Sequence, residues 1–322
     1  MLRRAFLVAV LLGLLSGIAG VWLLWGSAGP KSGPHRVTVE EGATLASVAT
    51  QLDQKGVIPG NATTYRAMAR IFGSSDPIQA GEFEIPAGAS GAEVLDLLQH
   101  GRPVVRLITI PEGMPSILVQ EKLAAIRDLT GLAPLPEEGS VLPNSYDWQK
   151  GESRATVLNR MTFAMDREFE ALWAKRKPTC PVNDRHETIT LASIVEKETG
   201  KPSERRMVAG VYCNRLRIGM KLDADPTVIY PITKGKPLGR RIRRSELNAI
   251  TGYNTYREPG LPDGPIANPG RESIAAVLDP APTKALYFVA DGTGGHVFAD
   301  TLDQHNANVQ RWYAIRRARG EM

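Results

Sequence analysis

Cysteine, aromatic residues and long apolar runs are all scarce in this sequence, and each shortage excludes a class of protein. Only Cys180 and Cys213 occur in 322 residues, too few for a disulfide-dense secreted scaffold, and no Cys–His signature marks either as catalytic. No run of lysine and arginine is interleaved with aromatic residues, so a nucleic-acid groove has little support. His296 and His305 fit no standard zinc spacing, and no glycine-rich phosphate loop is present. We therefore predict no metal, no other cofactor and no nucleic-acid partner.

The overall composition is that of an ordinary globular protein of about two domains. Hydrophobic residues make up 43% of the chain and charged residues 23%, as in typical soluble domains. The net charge of +5 favours acidic partners in general, whether nucleic acid, anionic lipid or an anionic wall polymer. A solvated basic surface explains the same charge equally simply.

One apolar run is long enough to cross a membrane. Residues 5–25 contain 21 uncharged positions, which as a helix would span roughly 30 Å, the thickness of a bilayer core. Arg3 and Arg4 precede the run, so the positive-inside rule places residues 1–4 in the cytoplasm and the remainder outside it. Small residues at 27–29 offer an alternative, a cleaved signal peptide. The length of the run favours an uncleaved, single-pass anchor.

The two cysteines have two interpretations. An exported chain can form disulfides, so Cys180 and Cys213 can pair with each other. Cys213, however, falls in an apolar helical stretch, where a buried free thiol fits at least as well. The sequence leaves both open.

The remaining chain is predicted to be α+β throughout. A Gly/Ser/Pro linker over 26–35 precedes a small α+β subdomain over 36–101, and a mixed α+β domain follows over 104–322. In the subdomain, a strand at 37–39 and a helix with Leu45, Val48, Ala49 and Leu52 on one face resemble the opening of LysM-like glycan-binding modules. In the larger domain, we predict a long helix over 153–175.

The segment His186–Gly200 contains the residue most suited to chemistry. It is predicted to form a helix ended by Gly200. On a helical wheel, Glu198 returns to the centre of an apolar stripe begun by Leu191, whereas Glu196 points about 160° away. Burial and the negative end of the helix dipole both raise the pKa of a carboxyl at position 198, as a general acid requires. Glu196 and Lys197 are predicted to be solvated surface.

A structural role for Glu198 remains the alternative on pattern alone. A glutamate at the end of an amphipathic helix is commonly paired with a nearby cation, and Arg205 and Arg206 are close enough in sequence to be its partners.

A family resemblance covers nearly all of residues 36–315. The segments that carry it, in order, are Ile110–Met114, Leu142–Tyr146, Leu191–Thr199, Val211–Met220, Asp223–Tyr230, Tyr253–Tyr256, Gly260–Pro262, Gly264–Gly270, Leu286–Gly292, Gly294–Phe298 and His305–Asn306. Together they resemble the YceG-like family of endolytic murein transglycosylases. Two stretches depart from the family pattern: residues 141–144 replace a Phe-Pro-Asp motif, and residues 234–244 are unusually basic. That basic stretch suits acidic wall peptides or lipid headgroups, or is a solvated loop.

The resemblance implies an enzyme that cuts the MurNAc–GlcNAc β-1,4 bond within nascent peptidoglycan strands and leaves 1,6-anhydro-MurNAc ends. The family's catalytic glutamate aligns with Glu198. It would protonate the departing oxygen and then take the proton of the muramyl 6-hydroxyl as the anhydro ring closes. The resemblance also implies action in the periplasm during cell-wall assembly, near penicillin-binding synthases at the inner membrane.

Five further residues are predicted to bind substrate. They are Asp225, Thr227, Asn254, Tyr256 and Asn268. The segment Asp223–Tyr230 is expected to be a strand, and the two asparagines lie in Gly/Pro-rich loops, where exposed amides suit sugar hydroxyls. Ordinary turn chemistry is the alternative for these residues.

Two other functions stay open at this point. A lysozyme-like muramidase would hydrolyse the same bond with Asp225 as a second carboxyl, since a hydrolase needs two carboxyls at a defined separation. A non-catalytic peptidoglycan-binding scaffold would use the LysM-like unit alone.

Overall fold

The computed structural model describes residues 10–13, 16–17, 19–31 and 33–321. The predicted span over 5–25 therefore falls partly outside the described residues. Its described positions are helical up to a π-helical turn at Trp22–Gly26. Within the described parts of the chain, no helix has both the length and the apolar character needed to cross a bilayer.

The chain divides into two compact units, Met1–Arg106 and Leu107–Met322. In order, the first unit contains β1 (His35–Val39), α1 (Leu45–Gln54), α2 (Ala62–Phe72), β2 (Gly81–Ile85) and α3 (Gly91–His100). β1 and β2 pair antiparallel with Val37 opposite Phe83. Each helix starts at a side chain that accepts a hydrogen bond from the first turn: Thr44, Asn61 and Ser90. These caps fix the helix starts, and the α+β prediction is confirmed for this unit.

The second unit is mainly helical and contains two small two-stranded sheets. Its elements are β3 (Arg106–Thr109), which begins at the unit boundary, α4 (Ser116–Ala125), β4 (Ser145–Trp148), α5 (Arg154–Trp173), α6 (Arg185–Glu198), α7 (Arg205–Arg217), α8 (Asp225–Thr233), α9 (Arg244–Leu247), α10 (Arg271–Leu278), β5 (Tyr287–Ala290), β6 (His296–Ala299) and α11 (Leu302–Ala318). β3 pairs with β4, and β5 pairs antiparallel with β6. The predicted long helix is α5, whose buried face runs from Val157 to Phe169.

The strand predicted at Asp223–Tyr230 is wrong. Residues 225–233 form α8, with Pro226 in its first turn. Proline there has a φ already suited to a helix and lacks only an N–H that would have no helical partner anyway. Burial of Val228 and Tyr230 then outweighs the strand preference of the β-branched residues that suggested the other assignment.

The two cysteines form a disulfide, with their Cα atoms 5.0 Å apart. Both lie in the same apolar core cluster as the buried face of α6. The free-thiol interpretation of Cys213 is therefore wrong. The apolar surroundings predicted for Cys213 are present, and they also contain Cys180.

Candidate active site

Helix α6 carries Glu198 from a buried core to the edge of the second unit. Asp184 caps its start, since its carboxylate accepts a hydrogen bond from the Glu187 N–H at 2.8 Å. All eight residues from Thr188 to Val195 are buried, so burial extends around the helix and is not limited to the apolar stripe expected on one face. The helix ends at Glu198 because the backbone turns extended at Thr199. Glu198 is thus a partly buried side chain at the mouth of an apolar core.

The surroundings of Glu198 favour its protonated form. Burial raises the pKa of its carboxyl to about 7, and the negative charge of Asp225 acts in the same direction. A hydrogen bond from the Tyr212 hydroxyl and the positive charge of Arg215 oppose this shift and are the smaller effects. A carboxyl that titrates near neutral pH can both donate and accept a proton there.

Asp225 and Tyr256, both predicted from sequence, lie beside Glu198. The Tyr256 hydroxyl donates a hydrogen bond of 2.7 Å to the Asp225 carboxylate. Burial and then Asp225 raise the pKa of Tyr256, so its hydroxyl stays protonated and remains a donor. The structure thus brings two carboxyls and one phenol together at the C-terminal end of α6.

Asn254 is a buried residue that bonds to the backbone of Tyr256. It is 2% exposed, and its side-chain amide donates to three carbonyl oxygens, of which Ala249 O is the nearest at 2.8 Å. Its Oδ1 accepts the N–H of Tyr256 at 3.0 Å. Asn254 therefore positions Tyr256.

Thr227 and Asn268 are also buried and bonded inside the protein. Thr227 is 0% exposed, and its hydroxyl donates to Ala224 O at 2.6 Å. Asn268 is 0% exposed; its Oδ1 accepts the Val141 N–H at 2.9 Å and its Nδ2 donates to Met114 O at 2.9 Å. The polar atoms of these two residues and of Asn254 thus already have partners within the protein, and the exposed loop amides expected at 254 and 268 are buried. Substrate binding by these three residues stays a prediction.

The prediction that Glu196 lies on the solvated surface is wrong. Its side chain is 5% exposed, although it was predicted to be solvated. It accepts hydrogen bonds from the Gly270 N–H at 2.9 Å and the Ser273 hydroxyl at 2.8 Å, and pairs with Arg205 at 3.3 Å. A helical wheel shows only the helix's own face, whereas Arg205 comes from the next helix and Gly270 and Ser273 come from a distant part of the chain.

Three residues at the site were missed as functional candidates: Tyr212, Arg215 and Asp223. Arg215, 8% exposed, donates to Leu286 O at 2.6 Å and Leu222 O at 2.7 Å, and so holds the segment that leads into α8. Asp223 lies 3.9 Å from Arg215. It has a φ of 49°, a conformation that few residues other than glycine adopt readily and that often marks functional segments.

The signal that could have revealed them was present in part. Tyr212 and Arg215 are three residues apart on α7 and so share one helix face. The sequence did not show that this face meets the end of α6.

Across the described residues, no group of three or more His, Cys, Asp and Glu side chains is arranged to hold a metal ion. His296 instead bonds to Glu204 at 2.8 Å, and His305 stacks on Tyr287.

Comparisons with known proteins agree on one family. The sequence model of the YceG-like family matches residues 37–311. An endolytic murein transglycosylase of Streptococcus pneumoniae is 27% identical over 323 aligned residues, covering 85% of this chain and 57% of that protein. One of Bacillus subtilis is 35% identical over 179 residues, covering 55% of this chain and 48% of that protein. The chain thus spans about half the length of these curated relatives.

A solved structure agrees with the family match. The crystal structure of a YceG-like protein from Listeria monocytogenes superposes with a TM-score of 0.53 at 25% identity, and the match covers 85% of this chain and 98% of that one.

Proposed function

The chain belongs to the YceG-like family, and from this premise we propose that it is an endolytic lytic transglycosylase of peptidoglycan. It cleaves the MurNAc–GlcNAc β-1,4 bond within glycan strands. The observation that carries the proposal is the carboxyl of Glu198, with a pKa raised to about 7 by burial and by Asp225. The names of the pneumococcal and Bacillus relatives support the same activity.

In the proposed mechanism, one carboxyl serves as acid and then as base. Protonated Glu198 gives its proton to the glycosidic oxygen as the bond from that oxygen to the muramyl C1 breaks. The resulting carboxylate accepts the proton of the muramyl 6-hydroxyl as its oxygen bonds to C1. No water enters, so the product is one water lighter than a hydrolysis product.

Neighbouring groups support both halves of this cycle. The negative charge of Asp225 keeps the proton on Glu198 before cleavage and stabilises positive charge that develops at the sugar ring. After the proton leaves, the Tyr212 hydroxyl donates to the new carboxylate and Arg215 offsets its charge. Tyr256 holds Asp225 in place through the 2.7 Å hydrogen bond.

The second candidate, a muramidase, rests on the same Asp225. A carboxylate near enough to shift the pKa of Glu198 is also placed to stabilise or attack the sugar during hydrolysis. The two candidates differ in whether water enters the product.

Mass analysis of products from purified glycan strands distinguishes the candidates. We expect 1,6-anhydro-muramyl ends, with no label incorporated when the reaction is run in ¹⁸O-water. Reducing ends that carry ¹⁸O would establish the muramidase instead, and Asp225→Asn should then be nearly as damaging as Glu198→Gln. Binding of strands without cleavage under any condition would favour the scaffold.

We further propose that the apolar segment at 5–25 anchors the protein in the inner membrane. The second unit, which carries Glu198, then faces the periplasm near cell-wall synthases. We also propose that the first unit binds glycan as a LysM-like module. The uncharged length of the segment and the two arginines before it support the topology. The β-α-α-β order of the first unit supports the module. Fractionation with the inner membrane, and digestion of the C-terminal end by protease added to spheroplasts, are the expected results. Protection of that end would contradict this topology.

A further inference from the structure

A groove in the second unit is lined by a sequence neighbour of each proposed catalytic carboxyl. Its volume is about 460 Å³, and its walls include Met114, Leu118, Lys197, Ile229 and Leu238. Lys197 immediately precedes Glu198, and Pro226, also in the wall, immediately follows Asp225. On both α6 and α8, the groove therefore reaches the residue next to a proposed catalytic carboxyl.

Two glycines hold the walls close together. Gly113, with a φ of 70°, packs so tightly that a Cβ there would lie 3.3 Å from the Glu196 side chain. Gly235, with a φ of 82°, packs against Pro115, where a Cβ would approach within 2.6 Å. Because backbone from two distant segments meets α6 and α4 at these contacts, the groove is formed before a ligand arrives.

The lining of the groove is poorly suited to a sugar. Among the described residues that line it, none has an aromatic ring, a hydroxyl or a side-chain amide. A buried sugar would leave hydroxyl and acetamide groups without hydrogen-bond partners, and each such group costs free energy. Apolar walls with few polar groups instead suit a ligand with methyl side chains.

The charges at the groove favour a carboxylate. Glu112 lies at its edge but already pairs with Arg205 at 2.6 Å. Lys236 likewise pairs with Glu121 at 2.5 Å. Lys197 has only a 3.4 Å hydrogen bond to the carbonyl oxygen of Gly113. The charge with the weakest partner in this groove is therefore the Lys197 ammonium.

We propose that this groove binds the short stem peptide attached to the muramyl sugar. That peptide combines small apolar side chains, which match the walls, with free carboxylates, which match Lys197. It leaves the sugar ring at the lactyl group, so it can extend from the carboxyls that act on the ring to a groove lined by their neighbours Lys197 and Pro226. The inference rests on the proposed function and adds that the strand is recognised by its peptide as well as by its sugars.

A comparison of two substrates tests the proposal in the full chain. kcat/KM is measured on uncrosslinked strands that carry stem peptides and on the same strands after an amidase has removed them. We expect the intact enzyme to favour peptide-bearing strands by about tenfold, and Lys197→Met to reduce this ratio by about fivefold, the effect of a partly exposed charge pair. Leu238→Glu, which adds a repelling carboxylate, should reduce the ratio as well. Lys175→Met, an exposed lysine on another surface, is the matched control and should leave the ratio unchanged.

A binding measurement separates this proposal from the proposed function. Calorimetric titration of the full chain with a synthetic muramyl pentapeptide should show binding that Lys197→Met weakens, while melting temperatures confirm that the variant is folded. Cleavage without a preference for peptide-bearing strands, or no binding of the pentapeptide, would overturn the peptide groove and leave the transglycosylase intact. Binding by an enzyme that cuts no strand would support the groove and refute the transglycosylase.

Discussion

The C-terminal end of α6 presents two glutamates, two residues apart, to opposite chemical surroundings. Glu196 meets a cation, a hydroxyl and a backbone N–H, at 3.3, 2.8 and 2.9 Å. Glu198 meets one phenol hydroxyl and a second carboxylate, and its pKa rises to about 7. Both side chains are withdrawn from water to a large degree.

The difference between them shows that burial alone does not decide the role of a carboxyl. A buried carboxylate with several donors is stabilised in its charged form and holds together the chain segments that supply those donors. A buried carboxyl beside a like charge holds its proton, and that proton is then available for chemistry. One helix end thus carries both a structural glutamate and a candidate acid.

The largest expected effect comes from replacing the acid. Glu198→Gln keeps the shape of the side chain but cannot exchange the proton, so cleavage should fall by at least ~10²-fold. Chromatography of strand digests measures the rate. Glu170→Gln, an exposed glutamate on α5, is the isosteric control and should cut at the normal rate. Activity in Glu198→Gln close to that of the control would remove Glu198 from the mechanism.

The corresponding change at Glu196 should affect stability rather than chemistry. Glu196→Gln removes the charge that pairs with Arg205 and places an amide against donor groups, which should destabilise the fold by about 3 kcal/mol. Denaturant unfolding measures this loss. Cleavage per folded molecule should be largely retained, as expected from the wheel for a residue pointing away from Glu198. An equal loss of turnover from both variants in the folded state would abolish the contrast between the two glutamates.

The raised pKa of Glu198 also predicts a pH-dependent cost to folding. The unfolded carboxyl titrates near 4.5 and the folded one near 7, so its stabilising contribution is complete below pH 4.5 and is lost as the pH rises to about 7. Allowing for its partial exposure, we expect an ionised Glu198 to cost about 2 kcal/mol at pH 8. Glu198→Gln should therefore melt near the wild-type temperature at pH 4 but about 4–8 °C above it at pH 8. A constant difference across this range would contradict the raised pKa.

The smallest effects should appear in the pH profile of cleavage. Asp225→Asn removes a negative charge that raises the pKa of Glu198, and Tyr212→Phe removes a hydrogen bond that lowers it. The alkaline limb of kcat/KM should move to lower pH in the first variant and to higher pH in the second. Shifts in the same direction would show that the two residues do not act on Glu198 as assigned.

The sequence predicted the local parts of this site better than the assembled site. Apolar periodicity identified α5 and α6, and a helical wheel separated Glu198 from Glu196, because both signals depend on neighbours within one helix. Two of the three donors to Glu196 lie at 270 and 273, and no periodic pattern links such distant positions to α6. The buried role of Glu196 therefore appeared only in the folded chain.

Two errors arose from signals that compete at one position. In α8, strand-forming residues outweighed the proline in the first turn, although proline is common at a helix start. The Gly/Pro-rich context of Asn254 and Asn268 predicts exposed loop amides, yet each side chain bonds to several backbone groups in a segment that has few regular hydrogen bonds. Irregular backbone needs such partners when it is buried, and a sequence does not reveal which loops are buried.

The Cys180–Cys213 bridge has a consequence for when the site becomes competent. It closes a loop with a sequence separation of 33, and this loop contains the whole of α6 and also Tyr212. Such a closure removes about 4 kcal/mol of chain entropy from the unfolded state, but only where thiols are oxidised. A chain in a reducing compartment lacks that contribution, so under the proposed topology the disulfide stabilises the helix carrying Glu198 only after export. If the proposed function holds, oxidation of the two thiols would be the step that completes the folding of the catalytic centre, outside the cytoplasm.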